Sequence, residues 1–150
     1  MRGALVVALA LLIARVTAAQ APSARPVAFE VRLDGILASR VTTTHVGLGV
    51  ARAATRNVEL QVVVGGGITT RDGQDDQSAS ARADILARFA PLPADRNRWG
   101  AYAAGGVSAL VERGTHGRAV LALLVGARGR RSFVDVGLGG GLRLGAGVRF

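Results

Sequence analysis

After residue 26, apolar and polar residues alternate with a period of two along most of the chain. That is the pattern of strands with one face in an apolar environment and the other in a polar one. Val27, Phe29, Val31 and Leu33 alternate with Ala28, Glu30, Arg32 and Asp34; Val46, Leu48 and Val50 alternate with His45, Gly47, Gly49 and Ala51. Val58, Leu60, Val62 and Val64 alternate with Glu59, Gln61, Val63 and Gly65. Ala79, Ala81, Ala83, Ile85, Ala87 and Phe89 oppose Ser80, Arg82, Asp84, Leu86, Arg88 and Ala90, and the parity continues from Trp99 to Val111 against Gly100 to Glu112. Residues 118–127 are apolar on both parities, and continuity alone assigns Leu121, Leu123 and Val125 to the apolar face. Val134, Val136 and Leu138 oppose Asp135, Gly137 and Gly139; Leu142, Leu144, Ala146, Val148 and Phe150 oppose Arg143, Gly145, Gly147 and Arg149. Eight strands are predicted.

The punctuation agrees. All four prolines, Pro22, Pro26, Pro91 and Pro93, fall outside the strands. The expected connections are 35–44, 53–57, 66–78, 91–98, 113–117, 128–130 and a tight one near Gly140-Gly141. None is long enough for a crossover helix, so neighbours run antiparallel, and eight of them can close into an up-and-down barrel without a free edge.

The first 19 residues carry a different pattern: Arg2, an apolar run from Ala4 to Ile13, then small residues at Thr17-Ala18-Ala19. This is the layout of a cleavable signal peptide, too short to span a bilayer and interrupted by Arg15. Cleavage after Ala19 leaves a single β-barrel domain over 20–150, and loss of Arg2 and Arg15 lowers the formal net charge from +9 to +7. The chain is expected to be exported.

Composition narrows the classes further. With 49% apolar residues the chain has ample material to fold, and its 21 glycines argue against a helical bundle. No cysteine is present, which removes disulfides, thiolate metal sites and cysteine nucleophiles together. All 19 basic residues are arginine, a compositional habit; on an exported barrel the high isoelectric point does not indicate a nucleic-acid partner.

Periodicity does not say which face points inward. A lipocalin-like barrel puts the apolar face inside, around an apolar ligand; a membrane barrel does the reverse. A soluble two-sheet sandwich would need a mostly charged outer face. Three features favour the membrane arrangement. Glycine crowds the polar face (Gly47, Gly49, Gly65, Gly100, Gly106, Gly137, Gly139, Gly145, Gly147), where a narrow interior needs room for longer side chains. That face also carries both signs, with Glu30, Asp34, Glu59, Asp84, Glu112 and Asp135 against Arg32, Arg82, Arg88, Arg143 and Arg149, a balance suited to a sealed hydrogen-bonded interior. Thirdly, up-and-down topology brings Phe29, Phe89, Trp99, Phe133 and Phe150 to one rim, with Tyr102 close by. Aromatic rings at one level suit a membrane–water interface. The opposite rim lacks aromatics, and the alanine-rich faces of strands four and five make a thin lipid-facing surface.

The last nine residues, Leu142-Arg143-Leu144-Gly145-Ala146-Gly147-Val148-Arg149-Phe150, resemble the C-terminal assembly signal of bacterial outer-membrane β-barrels. Phe150 matches the terminal phenylalanine of that family, and Val148, Ala146, Leu144 and Leu142 its apolar alternate positions; Val148 and Ala146 stand where the family often has a further aromatic. Size and strand number resemble the small eight-stranded group related to outer membrane protein A, without a peptidoglycan-binding domain. The resemblance implies residence in the Gram-negative outer membrane, lipid as the surrounding partner and the barrel-assembly machinery as reader of the strand ending at Phe150. It also implies both termini in the periplasm, loops 35–44, 66–78, 113–117 and the turn near Gly140 outside, and 53–57, 91–98 and 128–130 on the periplasmic side.

Chemistry is sparse. Some barrels of this size deacylate lipids with a His-x-Ser pair, but His45 is followed by Val46-Gly47 and His116 by Gly117-Arg118, so Ser108 or Ser132 would meet a histidine only through the fold. His45 reads as a rim or interior hydrogen-bonding residue and His116 as a loop residue. Asp72, Asp75 and Asp76 lack the alternation and distal glutamate of a calcium loop and read as a solvated turn. The expectation is a porin-like outer-membrane barrel with a structural, adhesive or surface-interaction role, no catalytic residues, no metal and no cofactor. The runner-up is the soluble periplasmic or secreted lipocalin-like barrel with an apolar ligand.

Overall fold

The computed structural model describes residues 27–73, 77–91 and 99–150. The signal peptide expected over 1–19 lies outside the described residues. Eight strands follow one another: β1 (Val27–Ala38), β2 (Val41–Ala53), β3 (Val58–Arg71), β4 (Gln77–Phe89), β5 (Gly100–Glu112), β6 (Arg118–Arg128), β7 (Ser132–Leu138) and β8 (Leu142–Arg149). Each pairs antiparallel with the next, and β1 pairs with β8 from Glu30↔Arg149 to Leu37↔Leu142, which closes the barrel. No helix occurs among the described residues.

Five of the eight strands have 12 to 14 residues, and β1, β2 and β3 run well beyond the stretch that the apolar alternation alone outlines. The expected ten-residue connection 35–44 is corrected to a two-residue turn, Ser39-Arg40, since Gly35↔Thr44 through Ala38↔Val41 are paired. The period of two persists there in another form. Ile36 points inward and is buried while Leu37 is exposed, and the β-branched run Val41 to Thr44 suits extended backbone. Arg40 takes the left-handed conformation (φ 59°) that so tight a turn imposes.

The expected connection 66–78 is corrected likewise. β3 runs through Gly65-Gly66-Gly67 to Arg71, and β4 begins at Gln77. The glycine triplet reads as a loop in isolation. In the barrel, Gly67 lies where an added Cβ would come within 1.8 Å of the Thr44 carbonyl oxygen, so only glycine lets the two backbones approach there.

The two faces of the wall separate sharply. Leu48, Leu121 and Leu123 are exposed by 63%, 76% and 62%, whereas Arg32, Asp34 and Arg143 on the other parity are exposed by 1% or less. The apolar face is therefore the outer face of the barrel and the polar face its interior. Continuity assigned residues 118–127 correctly: Leu121, Leu123 and Val125 point out, and Ala122 and Leu124 point in.

Interior volume is partitioned between large and small residues. Val63 sits over Gly47 and Gly49, with its methyls 3.1 Å from where their Cβ atoms would stand. A Cβ on Gly147 would lie 2.4 Å from the Val31 carbonyl oxygen and 2.5 Å from the Phe133 ring. Gly147→Ala is therefore expected to destabilise the barrel by about 1–3 kcal/mol, the usual range for overpacking. Gly66→Ala, with nothing within 4 Å of the added carbon, is expected to stay within about 0.5 kcal/mol of the parent. Urea titration of the refolded proteins, followed by Trp99 fluorescence, checks both.

Candidate functional site

Up-and-down topology puts Phe29 at the start of β1, Phe89 at the end of β4, Trp99 before β5, Phe133 at the start of β7 and Phe150 after β8, all at one end of the barrel. Phe29, Phe89, Trp99 and Phe150 face outward, 49–75% exposed. Phe133 and Tyr102 face inward and are buried, as their parity dictates.

At the aromatic end Glu59 accepts hydrogen bonds from Arg128 (2.7 Å) and from both terminal nitrogens of Arg149 (3.0 Å each). One level deeper, Glu30 accepts from Arg88 (3.0 Å) and from the Gln61 amide, and Arg88 also donates to Gln61 Oε1 (3.1 Å). The Arg88 guanidinium lies 4.7 Å from the Tyr102 ring centroid and 5.3 Å from that of Phe133, so its unpaired faces meet π density instead of alkyl groups. Leu86, Ala90, Ala104, Ala122 and Leu124 complete a small apolar cluster around these rings.

The middle of the barrel is organised by Asp34. Arg32 donates to it through Nε and Nη2 (2.8 Å each), Arg143 through Nε (3.1 Å), and Arg82 through Nη2. Arg143 continues to Asp84 (2.7 Å), which also accepts from the Ser108 hydroxyl (2.6 Å). Arg32 continues to Asp135 (3.1 Å), which accepts from the Tyr102 hydroxyl (2.7 Å). Asp34, Asp84, Arg32, Arg82 and Arg143 have 0% side-chain exposure, so at this level the packing leaves no water-accessible channel beside them. Gly145 makes room for the cluster, since an added Cβ would sit 2.3 Å from Asp135 Oδ1 and 2.6 Å from Arg32 Nη2.

Beyond this level the chemistry becomes milder. His45 Nε2 and the Ser80 hydroxyl are 3.1 Å apart, and Thr43 and Thr69 share a hydrogen bond of 3.0 Å. These four residues line a cavity of about 470 Å³ that opens at the end without aromatics, with Arg71, Glu112, His116 and Arg118 nearer its lip. Glu112 accepts from Arg71 (2.7 Å) and from Ser78.

Every charged residue expected inside is there: each of the six carboxylates has at least one arginine partner. Two further arginines take part. Arg71 falls in the expected connection 66–78 and Arg128 in the expected turn 128–130, yet Arg71 shares the parity of Gln61, Val63 and Thr69, and Arg128 that of Ala122 and Leu124. Extending the alternation to the strand ends would have found both. His45 is interior and hydrogen-bonded, as expected, and His116 is an exposed loop residue. The histidine meets Ser80, not Ser108, which is committed to Asp84; Ser132 stands at the aromatic end. Asp72 lies in an exposed turn, and Asp75 and Asp76 lie outside the described residues. No protein-family model matches the chain, and no curated protein matches it either.

Asp34 holds three guanidinium groups at once, so its loss would strand buried positive charge. Asp34→Ala is expected to cost about 3–5 kcal/mol, the range for breaking a buried ion pair from one side. Asp72→Ala, in the exposed turn, should change stability by no more than about 0.5 kcal/mol. Side-by-side urea unfolding of the two variants measures the contrast.

Proposed function

We propose that this protein is an outer-membrane β-barrel, exported by its N-terminal segment and inserted with both termini of the barrel domain, and so its aromatic end, on the periplasmic side. Its role is structural or one of surface interaction, without catalysis of its own. The observation that carries this reading is the inversion of the wall: long aliphatic side chains face outward all around the barrel while ion-paired arginines and carboxylates fill it. In water that arrangement is costly on both faces. In a bilayer the outer face is solvated by acyl chains, and in the interior every described carboxylate is paired with an arginine. The outward aromatics at one end support the same placement, at the level of the lipid headgroups.

The lipocalin-like alternative needs an apolar cavity. The described interior offers a buried charged network instead, and its cavity at the end without aromatics mixes Val41, Leu110 and Val111 with Thr43, His45, Arg71 and Glu112. Within the membrane reading, the short connections at the end without aromatics favour a structural wall over a loop-based adhesin. They comprise Ser39-Arg40, residues 72–76, 113–117 and 139–141.

Fractionation of expressing cells tests this. Recovery in the outer membrane, with a gel mobility that changes on boiling, is the expected result. Recovery in the soluble periplasm without such a change would refute the reading.

A further inference from the structure

Charge is spread unevenly between the two ends. At the aromatic end the described residues include the side chains of Arg52, Arg56, Arg128, Arg130, Arg131 and Arg149 against a single acidic side chain, Glu59. Glu59 is already engaged by Arg128 and Arg149. Arg130 and Arg131 sit exposed on the turn between β6 and β7 and have no carboxylate partner among the described residues.

The surroundings of that turn are specific. Arg130, Arg131, Arg149 and Phe150 border one recess of about 450 Å³. The Arg131 carbonyl accepts from the Arg149 amide at 2.7 Å, and the Gly129 amide donates to the Ser132 carbonyl at 2.8 Å, so backbone bonds hold the turn against the end of β8. On its other side the Trp99 indole packs over Gly129, 3.4 Å from where a Cβ would stand. Two exposed guanidinium groups with no ion-pair partner among the described residues therefore lie between two outward aromatic rings, Trp99 at 57% and Phe150 at 75% exposure.

We infer that this recess binds the phosphate of an anionic phospholipid, with Arg130 and Arg131 on the phosphate and Trp99 and Phe150 against the glycerol and upper acyl chains. The inference rests on the membrane reading above. Guanidinium forks match phosphate oxygens in pairs, and they keep their charge at any physiological pH. The aromatic flanks favour a lipid over a soluble anion, because an amphipathic ring gains most where one side is apolar and the other wet.

Trp99 is the only tryptophan and packs over Gly129 on the turn that borders the recess, so its fluorescence reports on the flank of the site. The protein is refolded into phosphatidylcholine vesicles in which either a phosphatidylglycerol or a phosphatidylcholine minority carries acyl-chain bromine, at equal bromine content. The expected result is stronger quenching by the brominated phosphatidylglycerol, equivalent to a local enrichment of about fivefold or more, the factor that one arginine near a lipid surface supplies. The double variant Arg130→Gln/Arg131→Gln should bring the two lipids to parity. Arg52→Gln/Arg56→Gln, which removes the same charge from the end of β2 and the turn that follows it, should leave the enrichment intact.

Equal quenching by both lipids in the parent overturns the site, as does an enrichment that survives Arg130→Gln/Arg131→Gln. Mobility with and without boiling is read on the same vesicles. A heat-dependent shift with equal quenching refutes the lipid site alone; absence of the shift refutes the membrane reading, and the site with it.

Discussion

A closed barrel of eight strands has an interior about one layer of side chains wide, and any charge placed in it must find its partner there. Asp34 is where that constraint is met. One carboxylate on β1 gathers Arg32 from its own strand, Arg82 from β4 and Arg143 from β8, and these carry the contacts on to Asp84, Asp135, Ser108 and Tyr102. Side chains from five of the eight strands thus meet across the lumen at one level. The glycines on the interior parity follow from this, because guanidinium groups reaching across so narrow a space must pass over residues that have no side chain.

Such a network contributes little net stability compared with an apolar filling of equal shape, since desolvating the ions offsets most of their attraction. Its contribution here is orientation. With an apolar interior the two faces of every strand would be interchangeable. With Arg32, Asp34, Arg82 and Asp84 on one parity, a slip of one residue would move charge to the outer surface and leave leucine and valine among the remaining ions. On the membrane reading each arginine so displaced would cost about 2–4 kcal/mol at mid-bilayer depth. The interior therefore fixes register, and the outer face fixes the surroundings.

Much of this was legible in the residues. The alternation identified all eight strands and the two parities, and the mixed charges and glycines of one parity marked it as interior. Two kinds of feature were not legible. Where apolar residues thin out, at Val41 to Thr44 and Gly66 to Arg71, strand character is carried by threonine hydroxyls paired inside the barrel and by the close backbone approach at Gly67. Neither has a local signature that outweighs a run of threonines or glycines read as a loop. The meeting of His45 with Ser80 was equally invisible, because it depends on side chains from β2 and β4 reaching each other past β3. The hub at Asp34 could be expected as a balance of charges but not as a set of partners, since its bond to Arg143 joins residues 109 positions apart.

That separation has a consequence for how the chain comes to exist as a barrel. The seam between β1 and β8 joins the first described strand to the last, and until it closes both carry a row of open amide and carbonyl groups. Hairpins between neighbours can form early, but the ring is completed only by the contact that spans the greatest length of sequence, the slowest kind to form by chance encounter. Until then the chain in water would tend to collapse around its aliphatic parity, inside out with respect to the finished wall. Closure of the ring is therefore the step most sensitive to the order in which the strands meet, because first and last must find each other before either face of the wall is complete.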